Sequence, residues 1–429
     1  MNSNFTLHES SLLCERYYSA KHPSGLTVIV FPKDLTTTYA VIGVKYGAIN
    51  NSFEVDGRSV SVPDGIAHFL EHKMFSNEDG SDSFERFSEY GADANAYTSF
   101  NKTAYLFSCT EEYENSLGEL IDFVTHPYFT EQTVASEIGI IAEEIKMYDD
   151  SPSDRCFYGM LEGLYAHHAI RRNICGSAQS IAQITPQTLY DCYNAFYNLN
   201  NMVLIVCGNV DPDDVYSIAD AHLPRSSADF TTVTEDENAK ESGRAARAYT
   251  ECRMQVSKPI FNLGFKDIDL PADPYKRLKK DAAMAILDEM IFSRAGELYS
   301  YLYENDLISP NLSYGYSITR DAAYNGIAGE ADDPERVRDE IMRYIDSLRE
   351  NGLPYDDFLR GKRVMYSEFV KSFDSTDNIA NNLLAFFCED AELLSYADVI
   401  DSVSFEDVCE LFAYCFDPDS VSMSVIKPL

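Results

Sequence analysis

The run His68-Phe69-Leu70-Glu71-His72 places two metal-binding imidazoles and a carboxylate within five residues. On a helix of about 3.6 residues per turn, His68 and His72 stand one turn apart on the same face. Glu71, three positions beyond His68, stays within reach of whatever the imidazoles hold. H-x-x-E-H is the inverted order of a zinc-hydrolase signature, in which imidazoles bind Zn2+ and the carboxylate acts as a base toward water. Hydrolytic zinc sites usually take three protein ligands and leave a fourth position to water. A third ligand must therefore come from elsewhere in the chain.

Two helices are needed to position this chemistry. Pro63-Asp64-Gly65 supplies a turn with an N-cap candidate, and Ile66, Phe69, Leu70 and Phe75 then recur at helical spacing, which predicts a helix on a buried floor. Residues 130–150 predict a second helix, with Thr130 as cap, acidic residues in the first turn and a stop at Asp149-Asp150-Ser151-Pro152. Val134, Ile138, Ile141 and Ile145 form its apolar stripe, while Glu137 and Glu144 align on one flank. A carboxylate on a partly buried flank calls for a cation.

The wider chain reads as a duplication. Strands are expected at 26–32 and 39–46, the His68 helix follows, then a helix at 83–90, strands at 94–100 and 103–109, helices at 111–124, 131–148, 155–167 and 186–197, and a strand at 203–208. Residues 224–247 turn polar and charged, as an exposed linker does. Beyond it a similar order returns: strands near 249–256 and 261–265, a helix at 275–292, strands at 312–319 and 324–329, long helices after Pro334 and Pro354, and a last strand at 421–426. The expected fold class is α+β, with two tandem homologous α/β domains, each a mostly antiparallel sheet covered by helices. The domains are placed at 1–225 and 247–429, with an acidic polar linker at 226–246. All eight histidines precede residue 224, and the helix mirroring the His68 helix carries Asp288 and Glu289 but no imidazole, so only the first domain can hold a conventional zinc site.

A formal charge of -36 argues against nucleic acid and anionic membranes as partners, and mildly favours cationic or neutral peptides. Ten cysteines without a C-x-x-C pair, and an N-terminus with neither a basic start nor an apolar run, point to a reducing cytosol. No window approaches the length of an apolar spanning helix. His126 before Pro127 reads as a turn residue, and His167-His168 as a helix-end feature suited to the dipole.

H-x-x-E-H followed roughly seventy residues later by Glu-x6-Glu on a long helix resembles the insulinase and pitrilysin family of inverted zinc metallopeptidases. The stretches 63–72, Gly91-Ala92-Asp93-Ala94-Asn95-Ala96-Tyr97-Thr98, Thr103-Ala104-Tyr105 and Pro127-Tyr128-Phe129 resemble its landmarks in family order. The resemblance implies zinc bound by His68, His72 and Glu144, with Glu71 as catalytic base and Glu137 as a supporting acidic residue. Glu143, about 100° round the helix from Glu144, is the rival third ligand and ranks lower. Asn95 and Ala96 resemble the family's exposed strand, which receives substrate by main-chain hydrogen bonds. In the short bacterial branch of the family, subunits of this size pair into a two-part clamshell.

One departure stands out. Active members carry, in the second half, an Arg and a Tyr some seven residues apart that support the oxyanion. Here Tyr303 stands in place of the Arg and Ser309 in place of the Tyr, while Tyr314 and Arg320 lie nearby in the wrong order. The implied function is a zinc endopeptidase for peptides or small unfolded polypeptides, whose homologous partner subunit lacks the zinc motif and carries the Arg and Tyr. Either general peptide degradation or maturation of one ribosomal peptide precursor fits. A non-catalytic peptide-binding or structural subunit is the alternative.

Overall fold

A computed structural model describes residues 5–55, 57–226, 234–235 and 241–429. Most of the expected linker therefore lies outside the described residues. The strands are β1 (Thr6–Ser10), β2 (Glu15–Lys21), β3 (Thr27–Pro32), β4 (Thr38–Val44), β5 (Ser52–Val55), β6 (Arg58–Ser61), β7 (Asp93–Thr98), β8 (Thr103–Cys109), β9 (Met202–Gly208), β10 (Thr234–Glu235), β11 (Tyr249–Met254), β12 (Ile260–Asp267), β13 (Ser313–Ile318), β14 (Ala323–Glu330) and β15 (Val421–Pro428). The helices of the first half are α1 (Ile66–Met74), α2 (Ser83–Glu89), α3 (Tyr113–Thr125), α4 (Glu131–Asp149), α5 (Pro152–Leu164), α6 (Ala178–Ile181), α7 (Pro186–Phe196) and α8 (Pro212–His222). Those of the second half are α9 (Pro274–Phe292), α10 (Glu297–Glu304), α11 (Pro334–Asn351), α12 (Tyr355–Lys371), α13 (Thr376–Cys388), α14 (Tyr396–Ser402) and α15 (Phe405–Phe412).

Sheet topology carries the duplication. In the first sheet the order is β1-β2-β3-β9-β4-β8-β7, and in the second β11-β15-β12-β14-β13. The last five positions of the first sheet repeat in the second with the same directions. Each begins with a parallel pair, β3 with β9 and β11 with β15, and every later pairing is antiparallel. Both sheets are mixed only at that one pair, and the fold is two α/β units of mostly antiparallel sheet covered by helices.

The compact units are not two consecutive halves of the chain. The first comprises residues 1–145, 173–237 and 371–394; the second comprises 146–172, 238–370 and 395–429. The reason lies in burial. Every residue of β4 and of β9 is buried, so both faces of that sheet need cover. α1 and α3 pack against it, as does α13 from late in the chain. Gly43 of β4 makes room for α13: a Cβ there would meet Leu384 Cδ1 at 2.0 Å.

The second unit solves the same problem with α5, which packs on β15 and β12. Gly264 faces Met160 and Leu164 of α5, while its neighbour Phe265 turns to the opposite face and meets Phe416. α5 begins at Pro152 with Ser151 as cap and ends at Leu164, earlier than the expected residue 167. His167 and His168 thus lie beyond the helix, not at its end. His168 instead caps the short 3-10 turn Ala169–Arg171 through Nδ1, and burial pushes its pKa down to about 4, leaving a neutral ring. Nearby, the Glu241 carboxylate accepts from the amides of Ala166, His167 and His168 and from Lys266 Nζ at 2.7 Å, fixing the chain where it leaves α5.

Candidate metal centre

α1 starts without a side-chain cap. Gly65 occupies the N-cap with φ of 89°, and a Cβ there would meet the Cys175 carbonyl oxygen at 2.4 Å, so only glycine fits. The cap therefore falls within the expected turn Pro63-Asp64-Gly65, and the Asp64 side chain accepts from Asn51 Nδ2 at 2.6 Å. Nearly all of α1 is buried, including Ile66, Phe69 and Leu70 below and His68 and Glu71 above. α4 lies alongside, anchored by Val134, Ile141 and Ile145, with Thr130 Oγ1 accepting from the Thr133 amide at its start.

The two helices converge on one point. His68 Nε2 lies 3.6 Å from Glu144 Oε1, and His72 Nε2 lies 3.4 Å from Glu144 Oε2. Among the described residues, His68, His72 and Glu144 form the one cluster with ligand atoms all within 4.8 Å of one another. Tetrahedral zinc with bonds of about 2.1 Å separates neighbouring ligand atoms by about 3.4 Å. The donor set and its spacing fit Zn2+. Glu143, by contrast, is exposed and outside this cluster.

Glu137 stands behind His72, with Oε1 3.1 Å from His72 Nδ1, and accepts from Lys73 Nζ at 3.1 Å through Oε2. Burial works against the charge of each group, but the hydrogen bond and the charges around it win: His72 is raised and Glu137 is lowered from their ordinary values. Such a contact fixes the ring and leaves Nε2 turned toward Glu144, free to act as a metal ligand. Glu71 is 7% exposed, and burial raises its pKa against the opposing pull of His68, Thr98 and His72. Its Oε2 accepts from Thr98 Oγ1 at 2.6 Å.

Among the described residues, β7 ends the first sheet and pairs only with β8. Asn95 is exposed there, and its Oδ1 accepts from the Ala96 amide at 2.8 Å. In the second unit, Tyr303 lies exposed on α10 and the Ser309 amide bonds to Glu330 O. The Tyr314 hydroxyl donates to Glu289 at 2.8 Å, and Arg360 holds the other carboxylate oxygen at 3.2 Å. Sequence reasoning assigned no role to Lys73 or Thr98. Lys73 directly follows the candidate ligand His72 on a buried helix, and alternation along β7 puts Thr98 on the same face as Ala96; those were the available signals.

The family model described as Insulinase (Peptidase family M16) matches residues 61–177, and the one described as Peptidase M16 inactive domain matches residues 183–365. The uncharacterized zinc protease YmfH of Bacillus subtilis strain 168 is 36% identical over 428 residues, covering 98% of each chain. An M16-like peptidase from Alicyclobacillus acidocaldarius superposes with a TM-score of 0.92 at 29% identity, covering 100% of both chains. A protease from Helicobacter pylori shares the fold, with a TM-score of 0.82 at 19% identity over 96% of this chain and 100% of its own. With the two family models spanning both units and a relative matched along nearly its whole length, the chain belongs to the insulinase family of peptidases, family M16.

Proposed function

We propose that this chain is a zinc-dependent endopeptidase for peptides and small unfolded polypeptides, and the catalytic subunit of a heterodimer. The observation that carries the reading is the convergence of His68, His72 and Glu144 beside a buried Glu71. Zinc held by these three residues would polarise a scissile carbonyl and bring the pKa of a water to about 7. Glu71 takes the proton from the attacking water and returns it to the leaving amine. Glu137 and Lys73 hold His72 in its ligating orientation.

The β7 edge receives an extended peptide by main-chain hydrogen bonds, with Asn95 and Ala96 at the point of contact. Selection by backbone favours unfolded segments, since a folded protein offers no free strand.

The case for a partner rests on the oxyanion. Loss of one such donor costs on the order of a hundredfold in rate, and this chain has Tyr303 and Ser309 at the two positions in question. Tyr314, which lies nearby in the sequence, is already bonded to Glu289. A homologue that lacks the histidines and carries the Arg and Tyr would complete the site. No described helix is long and apolar enough to cross a membrane, and ten cysteines without a C-x-x-C pair suit a reducing cytoplasm.

The test is zinc quantification of the purified chain together with time-resolved mass spectrometry of a peptide pool, beside Glu71→Gln. Zinc at one equivalent and cleavage that disappears in the variant support the peptidase. Cleavage by the chain alone at the rate of a complete family enzyme would overturn the need for a partner, and a chain that takes up no zinc would overturn the peptidase itself.

A further inference from the structure

We propose that Thr98 is a positioning residue for Glu71, tying the base to the strand that receives substrate; this rests on the peptidase reading above. The Thr98 hydroxyl donates to Glu71 Oε2 at 2.6 Å, within a site where Glu71 is 7% exposed. A hydrogen bond to a shielded carboxylate is roughly twice as strong as one between neutral groups. α1 fixes the backbone of Glu71 but not its three side-chain torsions. With His68, His72 and Glu144 crowded beside it, a Glu71 released from Thr98 would be free to turn toward the metal position and act as a ligand instead of a base. Holding Oε2 leaves Oε1 as the oxygen that accepts the proton.

Thr98 is itself firmly placed. Its χ1 is restricted by β-branching, and it pairs across the ladder with the fully buried Thr103, whose Oγ1 donates to Tyr46 O at 2.9 Å. On the opposite face of β7, the Tyr97 hydroxyl donates to Asn381 Oδ1 of α13 at 2.9 Å, and Asn381 Nδ2 donates to the Tyr39 hydroxyl at 3.0 Å. The end of the edge strand is therefore pinned on both faces, and the base is attached to it two residues from Ala96. Backbone pairing of a peptide along β7 and the orientation of Glu71 share one rigid element.

The experiment compares wild type, Thr98→Val, Thr98→Ser and Glu71→Gln, singly and with Thr98→Val combined with Glu71→Gln, for peptide cleavage, zinc content and urea unfolding. Thr98→Val should keep its zinc and lower kcat about tenfold or more with little change in KM, the pattern of a lost transition-state arrangement. Thr98→Ser should return most of the rate, and Thr98→Val should add nothing to the residual rate of Glu71→Gln. The stabilities of the four chains in the cycle should couple, a readout that does not depend on turnover. A Thr98→Val chain that binds zinc and cleaves with wild-type kcat, or a cycle without coupling, overturns the proposal. A wild type that takes up no zinc while the cycle still couples overturns the peptidase reading and leaves Thr98 with a structural contact only, which also ends the proposal.

Discussion

Asp288 offers a quantitative test of how the second unit is built. It lies on α9, the helix that mirrors the zinc helix, is 1% exposed, and accepts from Asn325 Nδ2 of β14. Burial pushes its pKa from 3.8 up to about 8, with Asp281 adding to the rise and Asn325 opposing it. The folded chain thus holds a proton between about pH 4 and pH 8 that the unfolded chain has already released. For an acid with a raised folded pKa, the contribution to stability is fully present below the unfolded pKa and is lost as pH rises through the folded one. The loss is about 1.4 kcal/mol per pH unit in that window, or about 4 kcal/mol between pH 5 and pH 8. Asp288→Asn keeps the shape and removes the titration. Urea unfolding of both chains at several pH values should show the variant gaining on wild type by about that amount across the window. Parallel stability curves for the two chains would refute a neutral, buried Asp288.

The remaining predictions concern the site and its scaffold. Glu137→Gln should weaken zinc binding by about 10- to 100-fold, read by competition with a chromophoric chelator; unchanged affinity would show that Glu137 is only a surface charge. Gly43→Ala should lower stability by about 1–3 kcal/mol through overpacking against Leu384, measured by chemical denaturation. A chain ended after residue 225 lacks α13 and should lose cooperative unfolding in calorimetry, because the buried strands β4 and β9 would be bare on one face. Removing zinc from the full chain with a chelator should abolish cleavage, and restoring stoichiometric zinc should return it.

The elements that carry chemistry were legible because their patterns are local. His68 and His72 announce themselves by spacing, and the apolar stripe of α4 sets the flank on which Glu137 and Glu144 lie. The strands β4, β8, β9 and β12 are buried and rich in branched and aromatic residues, so composition exposes them. β1 was missed because Thr6–Ser10 is polar and largely exposed. The turn Pro63-Asp64-Gly65 was legible as the start of α1, but which of its residues caps was not: the Asp64 side chain finds Asn51, and a close backbone approach from Cys175 demands Gly65 at the cap position. Lys73 and Thr98 escaped notice since their partners, Glu137 and Glu71, lie 64 and 27 residues away, and nothing local marks either contact. The division at residues 226–246 follows composition, whereas compactness follows the two helices α5 and α13, which pack on sheets formed mostly by the other half of the chain.

That exchange of helices sets an order of events during synthesis. The proposed zinc ligands, base and receiving strand have all been synthesised by residue 144, yet the sheet beneath them stays uncovered on one face until α13 emerges and Leu384 settles against Gly43. Nascent chains fold as units from the N-terminus at about 5–20 residues per second, so some 240 residues must follow the last ligand before the unit can close. A chain built this way closes the unit around its candidate site only after α13 has been made, so neighbouring unfolded chains meet that site in closed form no earlier than this point.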